Sequence, residues 1–199
     1  MSRSNIPIHT LMPVFEAAGG LKSLPRSGWR RIGIPNGESV ADHSYRLSIM
    51  AALIAPRLGL DPEKAVRLAL FHDLPEARAG DVTPAEGVTP SVKHAREATA
   101  LSEIVANAPD GSVVYDWWRE YVCHATAEAR FVHELDKLEM ALQTLDYERT
   151  EGVDLQEFWQ SARAALEEPT LIEFYDWLYQ QRPCNLRPVT ATAPASSPK

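Results

Sequence analysis

Apolar residues recur along this chain at helical spacing, in blocks separated by glycine and proline. Residues 6–18 place Ile8, Leu11, Met12, Phe15 and Ala18 on one face and stop at Gly19-Gly20. Residues 40–55 carry His43, Leu47, Met50, Ala51 and Ile54 on another face, with Ser39 as the predicted N-cap and Pro56 as the stop. Asp61-Pro62-Glu63 opens a third helix, whose Ala65, Leu68, Ala69 and Phe71 run up to His72. Pro75 disfavours helix at Leu74, so this helix breaks just past His72-Asp73, and Glu76 begins a new short turn. Further helices are predicted over residues 91–106, 113–124, 127–148, 154–165 and 170–181.

Two stretches do not follow the pattern. Residues 21–35, LKSLPRSGWRRIGIP, read as an irregular connection holding Trp29 among arginines. The tail 183–199 is rich in Pro, Ala, Ser and Thr and reads as disordered, which leaves residues 1–182 as one domain. No internal repeat, phosphate-binding GxxxxGK[ST] motif or strand pattern stands out. The predicted architecture is all-α, a bundle of about seven helices around one metal site.

The chemistry concentrates at residues 68–81, LALFHDLPEARAGD. An apolar run delivers His72-Asp73 into the interior, and both groups are expensive to bury without a partner. Taken alone, such a pair is most simply the surface end of a helix. Two other helices change that reading, because His43 and Asp136 lie on them. Two imidazoles and two carboxylates suit a divalent cation: Co²⁺, Mn²⁺, Mg²⁺, Zn²⁺ or Fe²⁺.

In order, His43, His72-Asp73 and Asp136 match the H…HD…D pattern of the HD-domain metal-dependent phosphohydrolases. PRSGW (25–29), ESVADHSYR (38–46), FHDLPEARAGDVTP (71–84) and ELDKLEMALQ (134–143) resemble the 5′-deoxynucleotidase branch of that family. The resemblance implies His43, His72, Asp73 and Asp136 as metal ligands, with the metal acidifying a water and polarising the phosphoryl group. It implies Arg26 on the phosphate and Trp29 beside C2′ of the sugar, where a ribose hydroxyl would not fit. It implies Asp81 on the 3′-hydroxyl, and a homodimer. Some bacterial members have the Arg and Trp adjacent, whereas Ser27-Gly28 separates them here. Glu76 is placed to orient water or exchange a proton with the departing 5′ oxygen. Lys93, His94 and Glu97 resemble a KHxxE element of eukaryotic relatives, which makes Lys93 a second phosphate candidate. The reaction expected is hydrolysis of a deoxynucleoside 5′-monophosphate to nucleoside and phosphate. Alternatives are another phosphate ester or modified nucleotide, a di-iron HD oxygenase, or a non-catalytic nucleotide-binding module.

Bulk composition narrows the partners. At 199 residues and 45% hydrophobic content the chain can bury one sizeable core. A net charge of −7 argues against a nucleic-acid polymer as partner but leaves room for a small phosphate ester held by local cations. Two cysteines without CxxC spacing fit a reducing compartment, and no apolar run is long enough for a bilayer, so a cytoplasmic protein is expected.

Overall fold

The computed structural model describes residues 7–34, 36–83 and 86–189. Among them are ten α-helices, more than the seven or so expected, because two single-turn helices join the long ones. A 3₁₀ turn leads into α1 (Met12–Leu21), and α2 (Ser27–Arg31) follows. Then come α3 (Val40–Ile54), α4 (Pro62–Phe71) and α5 (Glu76–Ala79). The series continues with α6 (Pro90–Val105), α7 (Gly111–Val122) and α8 (Ala127–Glu151). It closes with α9 (Gln156–Ala164) and α10 (Pro169–Tyr179).

The caps follow side-chain chemistry. Ser39 and Asp42 form a capping box at the start of α3, each side chain accepting from the other's backbone N–H. The Asp61 carboxylate accepts from the N–H groups of Glu63 and Lys64, with Pro62 at the first position of α4. Thr126 caps α8, and Gly152 at φ 65° ends it, a left-handed conformation that glycine adopts without strain.

The largest apolar core lies where α3, α4, α8, α9 and α10 meet, around Leu47, Leu68, Leu135, Leu138, Trp159 and Leu178. A second cluster joins α1, α6 and α7 through Val14, Leu21, Leu101, Ile104 and Trp118, with Leu74 against them. Burying side chains of this size contributes about 1.5–3 kcal/mol each, which fixes the helix axes and everything mounted on them.

Residues 21–34 are more ordered than the sequence suggests. They contain α2, and Trp29, Ile32 and Ile34 pack with Leu155 and Phe158 in a third apolar cluster. That contact is long-range, so no local pattern announces it. The same holds for the tail expected to be disordered from 183. Arg187–Pro188 pairs in parallel with Val153–Asp154 as a two-stranded ribbon, β2 against β1. Arg182 forms ion pairs with Glu148 at 2.7 Å and Asp154 at 2.8 Å. Residues 190–199 of that tail lie outside the described residues.

Candidate metal centre and active-site cavity

Three helices supply the centre. His43 sits in the first turn of α3, one residue after the capping box has fixed the backbone. His72 is the C-cap of α4, where the apolar run ends, and Asp73 follows as the chain leaves helical geometry before Pro75. Asp136 lies midway along α8, beside its buried stripe. His43, His72 and Asp73 each offer a ligand atom, all within 4.8 Å of one another. Asp136 joins through His43, with Oδ1 at 3.1 Å from Nε2. Asp73 Oδ2 is 3.0 Å from His72 Nε2 and 3.9 Å from His43 Nε2. In an octahedral shell with bonds of about 2.1 Å, neighbouring ligand atoms sit roughly 3 Å apart, the spacing of the His72–Asp73 and His43–Asp136 pairs but not of the wider His43–Asp73 pair.

The donor set fits a divalent cation on independent grounds. His72 Nδ1 donates to the Ala69 carbonyl at 2.8 Å, which can only accept, so Nε2 is the ring nitrogen left to face a cation. His43 Nδ1 faces Glu139 Oε2 at 2.5 Å. Both Nε2 atoms are buried and make no hydrogen bond. A buried unsatisfied polar atom costs about 1–3 kcal/mol, and two that face carboxylates mark a place where positive charge belongs.

The electrostatics agree. Burial and the Arg26 charge push the His43 pKa down, yet Glu139 and Asp136 outweigh them and raise it to about 10. Burial opposes the ionised form of Asp73, but His72, His43 and Arg26 hold it below the usual carboxylate range. Against the same burial, Lys137, His43 and Arg26 hold Asp136 well below that range.

His72, Asp73 and Asp136 line a cavity of about 640 Å³, with His43 buried behind them, and Arg26, Trp29, Glu76, Asp81 and Lys93 line it too. Each is also tied to a neighbour. Arg26 Nη1 donates to Asp73 Oδ2 at 3.4 Å. Asp81 Oδ2 accepts from the Ser27 backbone N–H at 2.6 Å, and Ser27 Oγ donates to the Asp81 carbonyl at 2.7 Å. The arginine-bearing turn is thereby clamped to the acidic loop. Glu76 is 2% exposed, and its Oε2 has no hydrogen-bond partner. Burial, with Asp73 and Asp81 adding to it, pushes its pKa well above the usual value. Lys93 Nζ lies 3.3 Å from both Glu76 Oε1 and Glu97 Oε1.

Trp29 is not an open platform. It is 2% exposed, stacked on Phe158 with ring centroids 4.4 Å apart, and its Nε1 donates to Glu38 Oε1 at 3.0 Å. Only part of the ring reaches the cavity wall.

Three neighbours have no single role fixed by the sequence: Glu139 reads there as either a partner of a ligand or a surface acid, Tyr121 as one of an aromatic group, and His133 carries no reading. Glu139 is fully buried and holds His43. Its signal is the spacing of three from Asp136, which puts both carboxylates on one face of α8. His133, at the same spacing on the other side of Asp136, lines the cavity, as does Tyr121, whose ring lies 5.1 Å from that of His72.

An all-α bundle whose helices bring two histidines and two aspartates together behind and along the wall of one cavity is the architecture of a metal-dependent hydrolase. The chain belongs to the HD-domain family, whose model matches residues 18–172. It is 38% identical to 5′-deoxynucleotidase HDDC2 of Xenopus laevis over 87% of this chain and 88% of that one. It is 35% identical to the Homo sapiens protein of the same name, over 89% and 88% of the two chains. Against 5′-deoxynucleotidase hdd1 of Schizosaccharomyces pombe the identity is 34%, over 70% and 73%. Among solved structures, a conserved hypothetical protein of Pyrococcus furiosus superposes with a TM-score of 0.72 at 34% identity, covering 85% of this chain and 99% of that one.

Proposed function

We propose that this protein is a metal-dependent 5′-deoxynucleotidase, a phosphoric monoester hydrolase that converts deoxynucleoside 5′-monophosphates to deoxynucleosides and phosphate. The observation that carries the reading is the meeting of His43, His72, Asp73 and Asp136, the last three lining one cavity with Arg26 and Glu76. Relatives named 5′-deoxynucleotidase, matching most of the chain, support it.

In this reading His43, His72, Asp73 and Asp136 hold a divalent cation: Co²⁺, Mn²⁺, Mg²⁺, Zn²⁺ or Fe²⁺. The cation, when bound, supplies an acidified water as nucleophile and polarises the phosphoryl oxygen. Arg26, already charged and aimed at Asp73, binds the phosphate and stabilises the charge that grows on it in the transition state. Lys93, on the Glu76 side of the cavity, adds a second positive charge toward the phosphate. Glu76 retains a proton more readily than an ordinary carboxylate, as a donor to the departing 5′ oxygen requires. Asp81 has one carboxylate oxygen committed to Ser27 and offers the other to the sugar 3′-hydroxyl. Trp29, held rigid by Phe158 and Glu38, walls the sugar at C2′.

A cytoplasmic homodimer belongs to the same reading. Tyr45, Ile49 and Leu53 leave an exposed apolar stripe along α3 that a second copy would cover. No helix among the described residues is long and apolar enough to cross a membrane.

A phosphate-release screen over deoxy- and ribonucleoside 5′-monophosphates, with each of the five metals, tests the reading. Metal-dependent release that favours deoxynucleotides is expected. Absence of release from every nucleotide with every metal would overturn it.

A further inference from the structure

Behind the cavity, and lining none of it, lies a group of charges around the part-exposed Arg46, two of them buried carboxylates. Arg46 Nε donates to Glu139 Oε1 at 2.7 Å, and its Nη2 lies 2.6 Å from the same oxygen. Nη2 also donates to Gln143 Oε1 at 2.6 Å, and Nη1 to Asp146 Oδ2 at 3.1 Å. Nη2 is 3.9 Å from Glu38 Oε2. Glu38 and Glu139 approach so closely that they and His43 offer ligand atoms within 4.8 Å of one another. Two carboxylates that close, one with a side chain 8% exposed and the other fully buried, repel each other strongly. The guanidinium beside them is the compensating charge.

Each carboxylate has a second task. Glu139 faces His43 Nδ1, which fixes the ring and aims Nε2 at the metal site. Glu38 accepts from Trp29 Nε1, which fixes the indole at the cavity wall. The Glu38 backbone N–H donates to the Tyr147 hydroxyl at 2.7 Å, and the Tyr147 ring meets Trp29 edge-on at 5.1 Å. One arm therefore runs Arg46–Glu139–His43 to the metal. The other runs Arg46–Glu38–Trp29 to the sugar.

We propose that Arg46 is a positioning residue that couples metal retention to sugar discrimination through Glu139 and Glu38, touching neither metal nor substrate. The sugar arm rests on the role given to Trp29 above, and the metal arm stands without it. Arginine suits the place because its fork donates from several nitrogens at fixed angles.

The test uses the full-length protein and three substitutions: Glu139→Gln, Glu38→Gln and Arg46→Met. Co²⁺ affinity is measured by titrating Co²⁺ into metal-free protein, and the dAMP:AMP ratio of kcat/KM at saturating Co²⁺. Glu139→Gln should weaken Co²⁺ binding by about tenfold or more, the usual loss when a histidine ligand's partner is removed, and move the ratio little. Glu38→Gln should lower the ratio by roughly threefold or more and move Co²⁺ affinity little. Arg46→Met should move both. If it does not fold, as judged by circular dichroism, Arg46→Lys decides: it keeps the charge, loses the fork, and should shift both quantities in the same directions by less. Unchanged Co²⁺ affinity in Glu139→Gln, or an arginine variant that moves only one quantity, overturns the coupling. So does an equal effect of both glutamine variants on both quantities, which is general loosening. Equal wild-type rates on dAMP and AMP remove Trp29's role and the sugar arm, while the Co²⁺ titration still decides the metal arm.

Discussion

Oδ1 of Asp136 lies 3.1 Å from Nε2 of His43, although the two belong to different helices, α8 and α3. Asp136 Oδ2 is at the same time 2.8 Å from Lys137 Nζ, so the carboxylate bridges a half-buried cation at the cavity wall and a buried imidazole. The pairing with Lys137 that a surface aspartate would show is present, but the residue is only 6% exposed and turned inward.

Removing a ligand should end turnover. His72→Ala and Asp73→Ala are each expected to abolish metal-dependent phosphate release and to keep the helical circular-dichroism signature of the parent. Full activity in either variant would end the metal assignment.

Metal loading should release protons. Without a cation, His43 is held protonated up to about pH 10. A cation at Nε2 must displace that proton, so apparent affinity rises as pH climbs from neutral toward 10. Calorimetry at pH 8 in two buffers of different ionisation heat should find roughly one proton released per metal. Zero release would mean that His43 Nε2 does not bind the ion.

The clamp between Asp81 and Ser27 should matter for both folding and chemistry. Asp81→Ala leaves the Ser27 N–H without its 2.6 Å partner. A loss of about 1–3 kcal/mol in unfolding free energy follows from the unsatisfied donor. Phosphate release should fall as well, because Arg26 is carried on the same turn.

Trp29→Ala should be costly even with no substrate present. Removing a stacked indole that is 2% exposed is expected to cost about 3–5 kcal/mol by urea denaturation. Trp29→Phe keeps much of the packing and isolates the effect on the deoxy-to-ribo ratio, which should shrink.

Arg182 should prove necessary for stability although it lies far along the chain. Glu148 is 1% exposed, and Arg182 pairs with it through Nε at 2.8 Å and Nη2 at 2.7 Å. Arg182→Met leaves a buried carboxylate uncompensated, and a loss of about 3–5 kcal/mol is expected in the same denaturation experiment.

Much of this was legible along the chain. Helical spacing located the long helices, and Ser39, Asp61 and Pro62 marked starts that the structure keeps. The break after His72-Asp73 followed from Pro75, since proline restricts the residue before it and lacks a backbone donor. The candidate ligands were suggested by the H…HD…D order and the family resemblance, since a histidine on an apolar face or an aspartate beside a lysine has, taken alone, a plainer reading. Helix boundaries were less exact. The helix expected to reach His124 ends at Val122, where His124 takes a left-handed φ of 49°.

By itself, the sequence determined which segments coil and which side chains have the chemistry to hold a cation, because periodicity, capping and ligand chemistry act over one or two turns. It did not determine every stop: α1 runs through the Gly19-Gly20 expected to end it. Tertiary structure alone decided that Trp29, Ile32 and Ile34 pack onto Leu155 and Phe158, that Lys93 is held between two glutamates and that Glu139, not a nearer acid, orients His43. Those choices depend on how far apart the packed helix axes sit, which is set by core side chains distant in sequence and leaves no local trace.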